Sequence, residues 1–159
     1  MVANNVTRML DAHRIAYASY EIPSEKLSAQ EVAGLLNVPP AIVFKSIVAK
    51  REKAGKPILA LVPATGEVDA KALAASLKEK KIHVTTQNEA EALTGLLTGG
   101  ISPLALINKG FQVVIDASAQ EMEDIIISGG QRGLQIRINP QDLAKLTNAQ
   151  FAKIAAVNS

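Results

Sequence analysis

The amino-acid sequence predicts an α+β fold, in which helices flank a mixed sheet, and three observations support this. The 159 residues suit one compact domain, expected to span residues 1–159. Short β-branched, apolar segments alternate with amphipathic segments of helical period. Some neighbouring strands are separated only by a short turn, so the order is not a strict strand–helix repeat. That order favours a mixed sheet over a doubly wound parallel one.

The first elements are a helix, a strand and a second helix. Apolar side chains recur at helical spacing over residues 6–13, and residues 16–22 then predict a strand. The sequence Ser28-Ala29-Gln30-Glu31 has the spacing of a capping box, so it predicts the start of the second helix. Pro39-Pro40 ends that helix, because proline disfavours helical backbone at the residue before it.

Residues 42–49 are β-branched and apolar, and residues 57–62 follow as a second apolar strand. The turn at Gly55 predicts that the two strands pair as a hairpin. The remaining predicted elements are a helix at 69–80, a strand at 82–85, a helix at 88–93 ended by Gly95, strands at 111–115, 125–128 and 134–138, and a helix that begins at Pro140 with Asn139 as its cap. The spacing of Phe151, Ile154 and Ala155 predicts a last helical segment.

Composition excludes several classes of function. The net charge of +2 is too small to predict nucleic-acid binding by itself. The absence of cysteine excludes disulfides, thiolate metal sites and a thiol nucleophile carried by this chain. No apolar run has the ~20 residues that cross a bilayer, and the start lacks a signal-peptide pattern. We therefore expect a cytoplasmic protein with no membrane partner. The lack of an extended exposed apolar pattern predicts a monomer.

Common catalytic sets are also missing. His13 and His83 lie far apart in sequence without a metal-ligating neighbour, so each is expected to be an ordinary surface or core histidine. There is no Gly-x-Ser-x-Gly motif, and the paired glycines do not complete a nucleotide-binding pattern. We predict no metal and no cofactor, and the residues indicate no nucleophile–base pair.

Lys45 is the first residue that a purely structural role does not explain well. It lies in an apolar strand, and alternation places it on the same face as Val43 and Ile47. A charge on an apolar face is unfavourable unless it reaches water or a partner. Two interpretations stay open: a lysine whose stem packs while its amine reaches solvent, or a cation that lines a cleft.

Two glycine-containing loops are candidate ligand-binding segments. Gly99-Gly100 precedes Ile101-Ser102-Pro103, and Ser128 precedes Gly129-Gly130. Glycine allows a ligand to approach the backbone closely, and free N–H groups can bind a carbonyl or phosphate oxygen. Either loop can equally be an ordinary turn.

In combination these motifs resemble those of a known family. The motifs are Phe44-Lys45-Ser46, Thr94-Gly95, Gly99-Gly100-Ile101-Ser102-Pro103-Leu104, Val113-Val114-Ile115-Asp116, Ser128-Gly129-Gly130-Gln131-Arg132-Gly133-Leu134 and Pro140-Gln141-Asp142-Leu143-Ala144-Lys145. Their order and spacing are similar to those of the YbaK proteins, almost from end to end of the chain. Three positions depart from the pattern, where several relatives carry Tyr, Lys and, in some members, an acidic residue; they are Leu96, Gln131 and Gln135. Residues 105–109 are also less basic than the usual stretch.

The resemblance implies a barrel-like, mostly antiparallel sheet and a trans-acting deacylase for misacylated tRNA. The YbaK family is related to the editing domain inserted in many prolyl-tRNA synthetases. The implied catalytic residues are Lys45, Gly99 and Ser128. The implied substrate-binding residues are Tyr20, Ser46, Gly100, Ile101 and Gly129. Candidate tRNA contacts are Lys109, Arg132 and Arg137.

The implied substrate is cysteine attached to the tRNA for proline, whose own thiol would attack the ester. The implied partners are misacylated tRNA(Pro) and, transiently, prolyl-tRNA synthetase. Three alternatives stay open at this point: a deacylase for alanine or another small amino acid that uses water, a non-catalytic module that binds aminoacyl-tRNA or a synthetase, and a small-molecule-binding domain.

Overall fold

The structure, a computed structural model, describes residues 3–157. The helices are α1 (Asn5–Ala12), α2 (Ala29–Leu36), α3 (Ala70–Ser76), α4 (Gln87–Thr94) and α5 (Pro140–Thr147), with 3-10 turns at Pro40–Ile42, Pro103–Lys109 and Ala117–Glu121. The strands are β1 (Tyr17–Glu21), β2 (Phe44–Arg51), β3 (Ile58–Pro63), β4 (Gly66–Val68), β5 (Ile82–Val84), β6 (Gln112–Asp116), β7 (Ile125–Ser128), β8 (Leu134–Ile138), β9 (Gln150–Ala152) and β10 (Ala155–Val157). No helix within residues 3–157 combines the length and apolarity that a membrane span requires.

The strands of the described chain form three sheets. The largest has five strands in the order β5-β2-β3-β6-β9, a second has the order β1-β8-β7, and β10 pairs with β4. The β3–β6 and β6–β9 pairs are parallel, and the other pairs are antiparallel. The predicted α+β class and mostly antiparallel pairing are therefore confirmed.

The barrel-like closure implied by the family resemblance is not present. The five-stranded and three-stranded sheets approach each other at the Val43–Ile126 bridge, which lies just before β2. Within residues 3–157 the two sheets share no further ladder, so no continuous hydrogen-bonded ring of strands forms. The site described below opens near this junction.

Strand β3 is central, and its alternation separates two cores. All of its residues are buried, because layers cover both faces of the sheet. Leu59 and Leu61 belong to the main core, which α1, α5 and the three-stranded sheet share. Ile58, Ala60 and Val62 belong to a second core, which α3 covers. Consecutive strand residues point to opposite faces, so one short segment anchors both layers.

Several local predictions are confirmed. Ser28 caps α2 in a capping box, and Asn139 caps α5 by accepting hydrogen bonds from the Gln141 and Asp142 amides. Gly95 ends α4 in the left-handed conformation, with φ +72°. The predicted hairpin is the antiparallel β2–β3 pair. These features depend on neighbouring residues, and local sequence therefore predicts them.

The predicted last helix is wrong, and strand β4 was not predicted. Residues 150–157 form β9, which pairs with β6, and β10, which pairs with β4. The Asp116 carboxylate accepts hydrogen bonds from the Ile154 and Ala155 amides, at 2.9 Å each, which holds this segment extended. Helical spacing was outweighed by these long-range partners.

The same carboxylate has a shifted pKa. Burial raises the pKa of Asp116, but hydrogen bonds from Ser118, Ile154 and Ala155 outweigh burial and hold it below its ordinary value. Asp116 belongs to one of the motifs of the family resemblance, and the structure gives it a structural role.

Candidate active site

A cleft of about 410 Å³ opens between the start of β2, helix α2 and the two glycine loops. Its volume lies in the range of small-ligand pockets. Helix α2 forms one side of the cleft and is held there by the side chain of Gln30, whose Nε2 donates to the Ala64 carbonyl at 2.9 Å. The lining residues are Leu27, Ser28, Ala29, Gln30, Val32, Val43, Phe44, Lys45, Ser46, Ile47, Ala64, Glu67, Thr98, Gly99, Ile101, Ser128 and Gln135.

Lys45 lines the cleft, and its ammonium group reaches an exposed carboxylate. Its Nζ donates to Glu67 Oε1 at 2.8 Å, and its side chain keeps 25% of its exposure. The Glu67 side chain is 63% exposed. The pair therefore orients the ammonium group while leaving it accessible to a ligand. Ser46 also lines the cleft, one residue farther along β2.

Gly99 lies at the edge of the cleft in a loop that is held from three directions. Glu91 of α4 accepts from the Thr98 amide at 2.7 Å, which lowers the pKa of Glu91. The Thr98 carbonyl accepts from Arg132 Nε at 2.7 Å. The Gly99 carbonyl accepts from Ser128 Oγ at 3.2 Å. Gly99 has φ +94°, a conformation that glycine adopts without strain.

The Gly99 amide differs from its neighbour. It donates no hydrogen bond to any residue within 3–157, whereas the Gly100 N–H donates to the Leu97 carbonyl at 2.8 Å. Gly100 does not line the cleft. A Cβ on Gly100 would lie 3.0 Å from Gln131 Cα, so this glycine allows the two loops to pack closely. Of the two amides, only that of Gly99 is available for a ligand.

Ser128 joins the two glycine loops at the end of β7. Its hydroxyl donates to Gly99 and accepts from the Gly130 amide at 3.3 Å. Gly129 does not line the cleft, and its N–H donates to the Leu134 carbonyl at 2.9 Å in the β7–β8 turn. Ile101 does line the cleft and is 7% exposed.

Gln135 is a cleft residue that sequence reasoning did not select as a site residue. It pairs in register with Ser128 of β7 and with Tyr20 of β1. It is 6% exposed, and its carboxamide forms no hydrogen bond with the described residues. Tyr20 itself is half-buried against α2 and does not line the cleft. The departure of Gln135 from the family pattern was the available signal.

The predicted tRNA contacts are scattered. Arg132 lies at the rim of the cleft, where it holds the Thr98 carbonyl. Arg137, on β8, forms an ion pair with Asp124 at 3.5 Å. Lys109 borders a separate cavity of about 710 Å³ between α1 and the segment 104–109. Only Arg132 is therefore placed next to the candidate site.

Comparison with known proteins assigns this chain to a family. Residues 24–146 match the family model described as the aminoacyl-tRNA editing domain. The chain belongs to this family. It is 37% identical over 152 residues to EbsC of Enterococcus faecalis, described as a proposed Cys-tRNA(Pro)/Cys-tRNA(Cys) deacylase, and the match covers 94% of this chain and 92% of that protein. The predicted aminoacyl-tRNA deacylase activity is confirmed.

Solved structures agree on the fold of the editing domain. A hypothetical protein superposes with a TM-score of 0.87 at 20% identity, covering 96% of this chain and 100% of that one. A proposed trans-editing enzyme for prolyl-tRNA synthetase superposes with a TM-score of 0.76 at 22% identity, covering 98% and 99%. At these identities the similarity concerns the fold alone.

The cleft of this editing domain has few reactive side chains. Lys45 and Glu67 are the ionisable residues among the described lining, which contains no histidine. His13 interacts with the Met9 carbonyl, and His83 lies exposed on β5. Residues 3–157 contain no group of three metal-ligating side chains. The charged groups of the described lining are therefore the Lys45 ammonium and the Glu67 carboxylate, which form an ion pair with each other.

Proposed function

We propose that this editing domain deacylates Cys-tRNA(Pro) by using the thiol of the substrate as the nucleophile. The observation that carries the proposal is the hydrogen bonding of the cleft, in which the Lys45 ammonium pairs with Glu67 and the Ser128 hydroxyl donates to the Gly99 carbonyl, so that no base of the described lining is hydrogen-bonded to this serine. The similarity to EbsC supports cysteine as the amino acid. A volume of about 410 Å³ is in keeping with a small amino acid and the terminal ribose.

In the proposed step, the cysteine sulfur attacks the carbonyl carbon of its own ester. A carbon–sulfur bond forms, the bond from that carbon to the ribose oxygen breaks, and the thiol proton ends on the released tRNA hydroxyl. The products are a cysteine thiolactone, which water opens to cysteine, and uncharged tRNA. A thiol pKa of about 8.5 leaves a few per cent thiolate at neutral pH. Oriented intramolecular attack reaches effective molarities of ~10⁵–10⁸ M.

Three residues would act on the substrate. The Gly99 N–H would stabilise the negative charge that develops on the carbonyl oxygen, because it is the available amide of the loop. The Lys45 ammonium would bind the terminal phosphate or ribose, or favour the thiolate. Ser128 would hold Gly99 in position and orient the substrate. In this proposal the protein accelerates the reaction by holding the ester and its charge-stabilising groups in position. The hydrogen bonds that fix the loop at Thr98 and Gly99 would supply that rigidity.

The proposed partners are tRNA(Pro) and, transiently, prolyl-tRNA synthetase. A solved structure at 22% identity is described as a proposed trans-editing enzyme for that synthetase. The small net charge of +2 supports weak tRNA affinity for the isolated chain, which a complex with the synthetase would offset.

The test measures the loss of label from Cys-tRNA(Pro), Ala-tRNA(Pro) and Pro-tRNA(Pro) incubated with purified protein. Rapid loss from Cys-tRNA(Pro) alone is expected, since the other two esters carry no thiol. Loss from Ala-tRNA(Pro) at a similar rate would show that water is the nucleophile. No loss from any of the three would contradict deacylation by this chain under these conditions.

A further inference from the structure

Five exposed lysines gather at the end of β2 that lies away from the cleft. Lys53 and Lys56 lie in the β2–β3 turn, and Lys78, Lys80 and Lys81 lie in the connection from α3 to β5. We call these five residues the lysine cluster. The two segments are neighbours, because Arg51 at the end of β2 is opposite Ile82 at the start of β5.

Arg51 holds these two segments together. Its Nε donates to the Lys56 carbonyl at 3.0 Å, and its Nη1 forms an ion pair with Glu79 at 2.6 Å. The other Nη group donates to the Gln112 side chain. One mostly buried guanidinium, on a side chain that is 12% exposed, therefore fixes the turn, the α3–β5 connection and β6 relative to one another. The lysine cluster is presented on a preassembled surface.

The charge of this surface is concentrated. Residues 51–56 and 78–81 contain six cationic side chains, from five lysines and one arginine, and two carboxylates, from Glu52 and Glu79. The difference is a net charge of +4, compared with +2 for the whole chain. Among residues 3–157, no member of the lysine cluster has a carboxylate within ion-pair distance. These lysines are therefore available for an external anion.

The chemistry of the surface favours RNA over a protein partner. Lysine is depleted from protein–protein interfaces, which have apolar and aromatic centres. Of the large exposed apolar side chains of the described chain, Leu93 borders the β2–β3 turn and Val84 lies on β5, whereas Leu35, Leu97 and Ile107 lie elsewhere. Two isolated apolar side chains beside five lysines do not form the apolar centre of a protein interface, and clustered lysines are suited to a chain of phosphates.

The distance from the cleft matches a tRNA whose 3′ end is bound there. Lys45 and Arg51 are six residues apart on β2, which at about 3.3 Å per residue is about 20 Å. The rise of about 3.4 Å per nucleotide of a stacked strand sets an upper limit of roughly six nucleotides for this span, and the unpaired 3′ end of a tRNA covers it with fewer. A phosphate that far from the aminoacylated end lies several nucleotides upstream, where the unpaired 3′ end meets the acceptor stem.

We propose that the lysine cluster binds acceptor-stem phosphates of the tRNA whose aminoacyl end occupies the cleft. The proposal rests on the proposed function for the identity of the ligand. In this proposal most of the electrostatic affinity for tRNA comes from a surface about 20 Å from Lys45 in the cleft. Loss of the cluster should therefore weaken tRNA binding while leaving the reaction of the bound ester intact.

The test compares the wild-type protein with the double variant Lys56→Gln, Lys80→Gln, which takes one lysine from each segment. The matched control is Lys71→Gln, Lys153→Gln, which removes the same charge from two exposed lysines elsewhere. Binding of uncharged tRNA is measured against salt concentration. Two lost phosphate contacts should lower the slope of log K on log salt by about 1.4–1.8. Between 50 and 200 mM salt the wild type should then lose roughly 7–12-fold more affinity than the variant.

A second measurement separates this proposal from the proposed function. The variant should have a raised KM for Cys-tRNA(Pro) and an unchanged kcat, and it should cleave 3′-cysteinyl adenosine, which is too short to reach the cluster, as fast as the wild type. Equal salt slopes for the wild type, the cluster variant and the control would overturn the proposal. Failure of the wild type to cleave either ester would overturn the proposed function, while the slopes with uncharged tRNA would still decide the role of the lysine cluster.

Discussion

Replacing Lys45 with methionine tests the central assignment of the site. Methionine keeps an unbranched apolar stem of similar length, so contacts of the stem in the cleft are largely retained. The substitution removes the ammonium group and its ion pair with Glu67. The cleft, the backbone of β2 and the two glycine loops are otherwise unaltered.

The expected effect on stability is small. The lost ion pair joins a side chain that is 25% exposed to one that is 63% exposed. Pairs of this kind contribute about 0–1 kcal/mol. For a domain of this size, 1 kcal/mol corresponds to roughly 2–4 °C in Tm. Lys45→Met should therefore remain folded at the assay temperature.

The expected effect on activity is much larger. A hydrogen bond from a charged donor to the substrate contributes about 1.5–3 kcal/mol. At about 1.36 kcal/mol per tenfold change in rate, its loss lowers kcat/KM by roughly 10–150-fold. The two effects differ enough that a melting curve and a rate measurement separate them.

The assay is single-turnover deacylation of Cys-tRNA(Pro), with Glu67→Gln as the matched control. That control breaks the same ion pair but keeps the ammonium group, so its rate should fall by no more than about fivefold, the equivalent of 1 kcal/mol. Lys45→Met cleaving at the wild-type rate would refute the role given to Lys45. Equal losses in both variants would refute direct contact between Lys45 and the substrate, and would assign the effect to the ion pair.

Two further predictions concern the loop that contains Gly99 and the stability of the protein at low pH. Gly99→Ala and Gly110→Ala both place alanine at positive φ, +94° and +76°, so each should lose about 1–2 kcal/mol of unfolding free energy in urea titrations. Alanine keeps its backbone N–H, so Gly99→Ala should slow deacylation only as far as relief of the strained φ displaces that N–H from the cleft, and complete loss of the donor sets an upper limit of about 10²–10³-fold. Gly110→Ala should leave deacylation unchanged, and equal activities of the two variants would contradict placement of the Gly99 amide at the reacting ester. The folded-state pKa of Asp116 is lowered, so its contribution to stability is present above the unfolded pKa of about 3.9 and is lost as pH falls through the folded pKa. The stability difference between wild type and Asp116→Asn should therefore shrink from pH 7 to pH 3, and a constant difference would rule out this linkage.

The sequence alone was sufficient for the elements whose causes are local. The caps at Ser28 and Asn139, the end of α4 at Gly95 and the β2–β3 hairpin all depend on residues within a few positions of each other. Lys45 stood out because a charge on an apolar strand face requires an explanation, and the structure places it in the cleft. Family membership followed from two glycine loops whose combined spacing is specific.

Tertiary structure decided the features that depend on distant partners. Residues 150–157 have helical spacing, yet they are strands because β6, β4 and the Asp116 carboxylate supply their hydrogen bonds. The ion pair of Lys45 with Glu67 and the placement of Gln135 in the cleft follow from strand pairing, which a single sequence does not reveal. The lysine cluster likewise joins segments more than twenty positions apart. Local chemistry determines which elements form, whereas the long-range pairing of those elements determines which side chains meet.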